Sequence, residues 1–219
     1  MVRRQALLAW AEQNHAFVIE DDYDSEFQYE GRPQPSLASL RSDNILYLGT
    51  FSKVLTPALR LAYLVVPPQL LPLFNATCHT WHDGCPLLQQ AIVADFIQEG
   101  HFTRHLHKMR TAYAQRRQIV IESLKQVFDT RLQFDISAGG LNLLARLEHH
   151  EDDVALAQHA REHQFGIAAL SARSLRSDSL RSDSLGADCG KGLLFGFANE
   201  TTQEEALKHA QKLKKYLHI

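Results

Sequence analysis

The pattern of apolar and polar positions in the first half of the chain predicts helices that alternate with short strands. Leu7, Leu8 and Ala11 recur near helical spacing, so the opening segment is predicted to be a helix. Short apolar runs rich in β-branched and aromatic residues predict three strands, FVI at 17–19, NILYLGT at 44–50 and RLAYLVVP at 60–67. Because loops and helices separate them, we expect a mostly parallel sheet that is buried on both faces.

The middle of the chain, between Cys85 and Leu132, keeps its apolar positions at helical spacing with basic residues between them. This pattern predicts one long helix, or two helices that break near Gly100, linking two domains. His101 and His105 have the i, i+4 spacing that can hold zinc, but no further ligands accompany them, which favours a solvated helix face. A solvated face is also expected for the basic residues Lys108, Arg110, Arg116 and Arg117.

The last third predicts a small α+β domain. Strands are expected around Gly139-Gly140 and in the runs FGIAALSA and GLLFGFAN. The segment DDVALAQHAREHQF predicts a helix with an acidic start, where the helix dipole favours carboxylates. The segment TTQEEALKHAQKLKKYL predicts a closing helix that Thr201 or Thr202 can cap.

These elements divide the chain into three predicted parts. Residues 1–100 belong to a large domain, 101–132 form a linking helix, and 133–219 form the small α+β domain. Within the last part, residues 174–185 carry the sequence SLRSD twice in tandem, inside a serine-rich and charged stretch that predicts an exposed loop. A tandem duplication in a tolerant loop is the favoured interpretation, and a binding tail is the alternative.

Composition and charge narrow the classes of function. The chain of 219 residues is 45% hydrophobic and 22% charged, as globular proteins are. Its 23 Lys and Arg against 25 Asp and Glu leave no basic field that would hold nucleic acid. No apolar stretch approaches the roughly 18 residues that a membrane span needs. Three cysteines without a C-x-x-C pair predict free thiols and a cytoplasmic location.

The first candidate site is an acidic run that starts where the first strand ends. Five acidic residues lie between Glu20 and Glu26. Ligands of open α/β sheets bind at the carboxyl ends of parallel strands, where a carboxylate can pair with a ligand's ring nitrogen or bind a metal. A solvated acidic turn is the alternative. A magnesium-dependent phosphotransfer site on Asp21, Asp22 and Asp24 is a further one, although it leaves Lys53 and Arg60 without a joint role.

The second candidate site is the end of the second strand, Thr50-Phe51-Ser52-Lys53. We expect Lys53 to be partly desolvated there, which favours the neutral amine that forms Schiff bases with aldehydes. Thr50 and Ser52 supply hydroxyls, and Arg60 has the fork geometry that binds phosphate. An amine, a phosphate cradle and a separate carboxylate are together the groups that pyridoxal 5′-phosphate requires.

The segments IEDDYDSEF and YLGTFSKVLTPALRLAYLVVP resemble the cofactor signature of fold-type-I pyridoxal-phosphate proteins, the class I/II aminotransferases. They are similar in particular to the MocR branch of GntR-type transcriptional regulators. The resemblance continues through YEGRPQPSL, EGHFTRHLHKMRTAYAQRR and AGGLNLLARL, and so covers nearly the whole chain apart from the repeated loop. It implies an α/β fold in which a partial large domain, with a mostly parallel sheet and helices, precedes a small α+β domain.

The resemblance also implies a role for each site residue. Lys53 would hold pyridoxal phosphate as a Schiff base, Asp21 would pair with the pyridine nitrogen, and Tyr23 would donate to the phenolic oxygen of the ring. No metal is expected. The residues that it assigns to the phosphate are Thr50, Ser52 and Arg60.

Two departures from the family pattern stand out. Leu194 lies where these aminotransferases carry, in R-x-G-F-A, the arginine that clamps the substrate carboxylate. The nearest basic residue in a neighbouring strand motif is Arg146. The family's remaining cofactor contacts and its DNA-binding domain would lie before residue 1, so we expect the chain to be the C-terminal portion of a longer protein.

Three functions follow as hypotheses. The chain exchanges its Schiff base with an amine or amino acid, with transamination; or it is a ligand-sensing module without transaminase turnover; or it is an inactive truncated fragment. A homodimer is expected by analogy with the family. No nucleic acid and no membrane is expected to bind through this chain itself.

Overall fold

The structure is a computed structural model that divides into two compact units, Met1–Lys108 and Met109–Ile219. It describes residues 2–41, 43–81, 86–135, 137–147, 152–173 and 191–217. Residues 174–190, which include both tandem copies of SLRSD, lie outside the described residues.

The first unit contains a three-stranded sheet, and its helices lie before, between and after the strands in the sequence. Its strands are β1 (Val18–Asp22), β2 (Ile45–Thr50) and β3 (Ala62–Val65). Its helices are α1 (Val2–Gln13), α2 (Leu37–Leu40), α3 (Leu71–Trp81), α4 (Leu87–Gln98) and the start of α5 (His101–Phe128). The opening helix and all three strands are therefore confirmed. The described part of the chain holds no helix with the length and apolar content to cross a membrane.

The sheet is mixed rather than parallel throughout. β1 runs parallel to β2, with Val18 opposite Ile45, whereas β3 runs antiparallel to β2, with Thr50 opposite Ala62. The cause is the connection, because residues 51–61 are fewer than the dozen or so that a parallel crossover needs. The expectation of burial on both faces is wrong, since all four residues of the edge strand β3 are exposed and Ile19 on β1 is 69% exposed.

The break between α4 and α5 lies at Gly100, so the prediction of two helices is confirmed over that of one long helix. Gly100 has φ +73°, in the left-handed region that glycine adopts without strain. Its N–H donates to the carbonyl oxygen of Ile97 at 3.0 Å, which closes the last turn of α4. The chain can then start α5 one residue later.

The second unit contains an antiparallel sheet and the predicted helices of the last third. Its strands are β4 (Leu132–Asp135), β5 (Asn142–Leu147), β6 (Ala168–Ala169) and β7 (Gly192–Gly196), in the order β4-β5-β7-β6. Helices α6 (Asp153–Glu162) and α7 (Gln203–Leu217) complete it, together with the rest of α5. Leu143, Ala145, Leu193 and Phe197 are buried at its core.

The start of α7 distinguishes the two candidate caps. The backbone N–H of Glu205 donates to the Thr202 hydroxyl at 3.3 Å, so Thr202 is the capping residue. Hydroxyls of Thr201 and Thr202 in turn donate to the Glu205 carboxylate at 2.8 and 3.0 Å. These hydrogen bonds, with that from Thr201 the stronger influence, lower the pKa of Glu205.

Two arginines of α5 depart from the predicted solvated face. Arg117 is buried and donates to the carbonyl oxygen of Ser137 at 2.5 Å. Arg116 donates to the carbonyl oxygen of Ala198. A guanidinium has five N–H donors, which lets it satisfy loop carbonyls that no backbone donor reaches. These two side chains therefore contribute to the packing of the second unit.

Asp153 is a buried carboxylate at the first turn of α6. It accepts hydrogen bonds from the Ser171 hydroxyl at 2.5 Å, from the Ser171 N–H at 2.9 Å and from the Gly192 N–H at 3.2 Å. Burial by itself would raise the pKa of Asp153, but these hydrogen bonds stabilise the carboxylate and hold its pKa below the usual value. One ionised side chain thus joins the segments on both sides of residues 174–190.

Candidate functional site

The candidate site lies at the carboxyl ends of β1 and β2. The two strands are parallel, so their ends meet at the same edge of the sheet. Asp21 lies opposite Leu48, and Asp22 lies opposite Gly49. Successive strand residues point to opposite faces of a sheet, and therefore the two aspartates belong to different faces.

Asp22 has a structural role. Its carboxylate accepts hydrogen bonds from the Tyr47 hydroxyl at 2.8 Å, from the Ser25 hydroxyl at 2.7 Å and from the Ser25 N–H at 3.2 Å. Burial and the hydrogen bond to this carboxylate raise the pKa of the Tyr47 phenol well above its ordinary value. Asp22 therefore fixes the turn that follows β1 to the neighbouring strand.

Glu20 has a structural role as well. Its two carboxylate oxygens accept hydrogen bonds from the backbone N–H groups of Leu37 at 2.8 Å and Ala38 at 3.1 Å, at the start of α2. Arg4 lies 3.7 Å from the same carboxylate. The first acid of the run thus stabilises the loop that crosses from β1 to β2.

Asp21 and Tyr23 differ from these neighbours. Both side chains are exposed, and neither makes a hydrogen bond or ion pair with a residue that the structure describes. Asp24 and Glu26 do have interactions of their own. Over the described residues, moreover, no group of three or more His, Cys, Asp and Glu side chains could hold a metal ion. The acidic run is thereby divided into carboxylates that support the fold and one that is available to a ligand.

Lys53 lies in a tightly bonded turn that follows β2. The Ser52 N–H donates to the Thr50 hydroxyl at 3.1 Å, and the Leu55 N–H donates to the carbonyl oxygen of Phe51 at 2.9 Å. Val54 is only 2% exposed and anchors the turn in the core. Lys53 itself is exposed and has no partner among the described side chains. The expectation of a desolvated amine is thus wrong in this structure, because Lys53 lies on a turn beyond the strand end.

An aromatic cluster supports the base of this turn. The Tyr63 ring lies 5.6 Å from the Phe51 ring and 6.1 Å from the Tyr47 ring, centroid to centroid. It also lies so close to Gly49 that a Cβ there would overlap it. Glycine at residue 49 therefore lets the ring reach the backbone of β2 just before the turn.

Arg60 ends the connection that returns the chain to β3. Its φ of +51° places it in the left-handed region, and its N–H donates to the Pro57 carbonyl oxygen at 3.3 Å, closing the 3₁₀ helix Pro57–Leu59. A non-glycine residue there is uncommon and often marks a functional position. The guanidinium is exposed and has no partner among the described residues.

The structure brings the six predicted site residues to one edge of the sheet. Thr50, Ser52 and Lys53 share one turn, and Arg60 lies two residues before Ala62, the partner of Thr50. Asp21 lies on the adjacent strand, and Tyr23 directly follows that strand. An amine, a carboxylate, a phenol and a guanidinium without partners among the described residues fit the aldehyde, ring nitrogen, ring oxygen and phosphate of pyridoxal phosphate.

One residue of this region was not predicted from the sequence. His105 of α5 is half-buried, and its Nε2 lies 2.8 Å from the carbonyl oxygen of Val54. The prediction of a solvated face is wrong for it, although its position beside the buried Leu106 was a signal. His101 instead lies 3.0 Å from Glu99 and 2.7 Å from Arg104, so the two histidines have separate partners.

Leu194 occupies the centre of β7, opposite Leu144 on β5 and Ala168 on β6. The Nε of Arg146 donates to Asp135 at 2.8 Å. Of the cysteines, Cys78 is free and exposed, while Cys85 and Cys189 lie outside the described residues.

Comparison with known proteins identifies the family. The family model of aminotransferase class I and II matches residues 4–183. The uncharacterised HTH-type transcriptional regulator YhdI of Bacillus subtilis is 35% identical over 172 residues, covering 78% of this chain and 37% of that protein. The probable rhizopine catabolism regulatory protein MocR of Rhizobium meliloti is 36% identical over 178 residues, covering 81% of this chain and 36% of that protein.

The solved structures agree with this assignment. A kynurenine aminotransferase of Pyrococcus horikoshii superposes with a TM-score of 0.81 at 20% identity, over all of this chain and 52% of that one. At that identity the likeness shows the fold alone, and it confirms the predicted α/β class.

The chain belongs to the aminotransferase class I and II family. The predicted resemblance to MocR/GntR-type regulators is confirmed, and the chain spans a little over a third of the length of the curated relatives it matches.

Proposed function

We propose that this chain is the pyridoxal-phosphate-binding, aminotransferase-like region of a MocR/GntR-type transcriptional regulator. One observation carries the proposal: at one edge of the sheet, Asp21, Tyr23, Lys53 and Arg60 are exposed and without described partners. Their neighbours Glu20 and Asp22, and Tyr47 on β2, are by contrast held in hydrogen bonds of the fold. Groups that the fold does not use are those that remain for a ligand.

Each residue has a distinct role in the proposal. The Lys53 amine would hold the cofactor through the cofactor's aldehyde, and the pyridine ring would supply an electron sink when it is bound. Asp21 keeps the ring nitrogen protonated, and Tyr23 donates to the ring oxygen. When an amine ligand replaced Lys53 on the cofactor, the Lys53 amine would be free to accept or donate a proton beside the ligand. The phosphate is held by Thr50, Ser52 and Arg60.

The ligand class is an amine or amino acid, and Leu194 favours sensing over turnover. A leucine cannot make the bidentate bond by which an arginine binds a carboxylate. Arg146, the nearest basic residue in a neighbouring strand motif, donates from its Nε to Asp135 at 2.8 Å. The second candidate function is therefore a ligand-sensing module in which the amine exchange itself is the signal.

The proposal extends to partners and location. We place the chain in a homodimer by analogy with the family, and in the cytoplasm because its relatives are named transcriptional regulators. DNA binding is assigned to the regulator as a whole rather than to this chain, whose net charge is −2.

The cofactor test is a titration of the chain with pyridoxal phosphate, recorded by visible absorbance. The wild type and Lys108→Ala, which removes an exposed lysine on α5, are expected to give a yellow band that borohydride reduction fixes to the protein. Lys53→Ala is expected to give neither. A band that persists in Lys53→Ala would assign the Schiff base to another lysine, and its absence from the wild type would favour the inactive fragment.

Turnover is tested separately, by incubating the loaded chain with amino acids and an α-keto acid. Steady production of a new keto acid would reject a pure sensor. An amine-dependent change of the visible band without turnover is the result expected from Leu194.

A further inference from the structure

His105 contacts the Lys53 turn from a position 51 residues further along the chain. Its Nε2 lies 2.8 Å from the carbonyl oxygen of Val54, the residue that follows Lys53. A carbonyl oxygen can only accept a hydrogen bond, so Nε2 carries the proton and donates it. The contact is therefore a hydrogen bond that the imidazole donates to the backbone of the turn.

This hydrogen bond is one of two that hold the peptide group between Val54 and Leu55. The peptide between Val54 and Leu55 has its N–H bonded to the carbonyl oxygen of Phe51 at 2.9 Å. Its carbonyl oxygen is the acceptor of His105. The peptide that closes the turn is thus held at both ends, while the Val54 side chain is buried beneath it. Lys53 is the exposed residue inside this closed turn.

The ring of His105 is itself held in place. Phe96 of α4 packs edge-on against it, with ring centroids 6.4 Å apart and an angle of 64°. His101 also contacts Phe96, with the two rings stacked and their centroids 5.6 Å apart. Its polar partners among the described residues, however, are Glu99 and Arg104. His105 alone of the two reaches the turn.

We propose that His105 is a positioning residue that orients Lys53 for Schiff-base formation by fixing the Val54–Leu55 peptide. This rests on the proposed function, in which Lys53 binds the cofactor. A lysine on a pre-ordered turn loses less conformational freedom when its amine is captured, so the cofactor binds more tightly. The alternative is that the imidazole only fills space beside Phe96.

Two variants separate the hydrogen bond from the space that the ring fills. His105→Gln keeps an N–H donor of similar reach, whereas His105→Leu keeps apolar volume and removes the donor. His101→Leu, one turn away on α5, is the matched control. If His105→Leu does not fold, as judged by circular dichroism, His105→Asn replaces it, because its amide is too short to reach Val54.

The first readout needs no cofactor. Amide hydrogen exchange of residues 51–55 is measured by mass spectrometry, and His105→Leu is expected to exchange about three- to tenfold faster, the factor that one hydrogen bond supplies. His105→Gln and His101→Leu are expected to stay within about twofold of the wild type. Unchanged exchange in His105→Leu overturns the inference. An exchange rate in His105→Gln as fast as that of His105→Leu overturns it as well.

The second readout is the visible band formed with pyridoxal phosphate. The apparent Kd is expected to rise about three- to tenfold in His105→Leu and to return to near the wild-type value in His105→Gln. Equal Kd values in all variants overturn the effect on Lys53. If the wild type itself forms no band, the proposed function fails, and the exchange measurement still decides whether His105 orders the turn.

Discussion

At the scale of single residues, neighbouring carboxylates of the acidic run have different roles because strand residues alternate between two faces. Glu20 and Asp22 share one face and bind groups of the fold, at α2 and at Tyr47. Asp21 points to the other face and stays unpartnered among the described residues. Adjacent positions with the same chemistry are thus divided by the two-residue period of the strand.

This division predicts that two isosteric substitutions affect different properties, one the stability of the fold and the other cofactor binding. Asp22→Asn weakens hydrogen bonds to a charged acceptor, so the free energy of unfolding is expected to fall by about 1–3 kcal/mol. Asp21→Asn is expected to leave it within about 0.5 kcal/mol while weakening pyridoxal-phosphate binding. Urea denaturation and cofactor titration measure the two effects. Equal loss of stability in both variants would contradict the division.

Asp153 predicts a pH dependence of stability. Its folded-state pKa is lowered, so the stabilisation is present above the unfolded-state pKa of about 3.9 and is lost as the pH falls through the folded-state pKa. Asp153→Asn is expected to lower the free energy of unfolding by about 2–3 kcal/mol at pH 7. On acidification, the variant is expected to lose less stability than the wild type. Urea denaturation from pH 7 downwards measures both. If the variant lost stability with falling pH as the wild type does, the pH dependence would not come from Asp153.

At the scale of elements, β2 and β3 are held together by a close approach of a ring to a backbone. Gly49 leaves room for Tyr63, and the two residues are partners in the antiparallel register. The turn that carries Lys53 begins two residues after this pair. Packing at Gly49 therefore sets where the turn starts.

This packing predicts contrasting results for two glycine substitutions in strands. Gly49→Ala is expected to cost about 1–3 kcal/mol, because the new methyl group displaces the Tyr63 ring. Gly196→Ala on β7 is expected to change stability by less than about 1 kcal/mol, since a Cβ there meets no atom within 4 Å. Thermal unfolding followed by circular dichroism compares them. A tolerant Gly49 would show that Tyr63 moves aside at little cost.

Local sequence patterns were enough to predict the helices and strands, but they were not enough to predict the long-range contacts between them. Apolar periodicity predicted α1 and the three strands, and Gly100 predicted the break between α4 and α5, because each depends on residues close in sequence. The direction of β3 was readable from the short connection before it. The contacts of His105 with Val54 and of Arg117 with Ser137 depend on how the chain folds back, which no periodicity encodes.

The candidate site was predictable for a similar reason. Lys53 and Arg60 lie on one short connection, and Asp21 lies near the end of the strand beside it, so the motif spacing already implied their proximity. The exposure of Lys53 was not predictable, since it depends on what packs over the turn. The structural roles of Glu20 and Asp22 were likewise hidden, because their donors come from other elements.

At the scale of the whole molecule, the first unit exposes apolar side chains on α4. Leu88 is 69% exposed and Ile92 is 53% exposed, and their i, i+4 spacing places them on one face of the helix. Exposed leucine and isoleucine side chains on one helix face are typical of an interface. The homodimer proposed from the family gives this face an occupant, a second copy of the chain.

The dimer predicts a change of assembly when this face is charged. The wild type is expected to sediment as a dimer, and Leu88→Glu/Ile92→Glu as a monomer, because burying two carboxylates in an apolar contact is unfavourable. Gln98→Glu, an exposed change near the end of α4, is the control and is expected to remain dimeric. Sedimentation equilibrium measures the mass. A monomeric wild type, or a dimeric double variant, would assign the face to another contact.

The hydrogen bonds of Asp153 have a consequence for engineering. Ser171 and Gly192 bind the same carboxylate, and the Leu170 N–H donates to the Gly192 carbonyl oxygen at 2.9 Å, so the described residues on the two sides of 174–190 lie close together. The distance between these two points does not depend on how many residues join them. We therefore expect the second unit still to fold when a reporter domain whose own termini lie close together is inserted between residues 174 and 190, and circular dichroism of the fusion protein checks this.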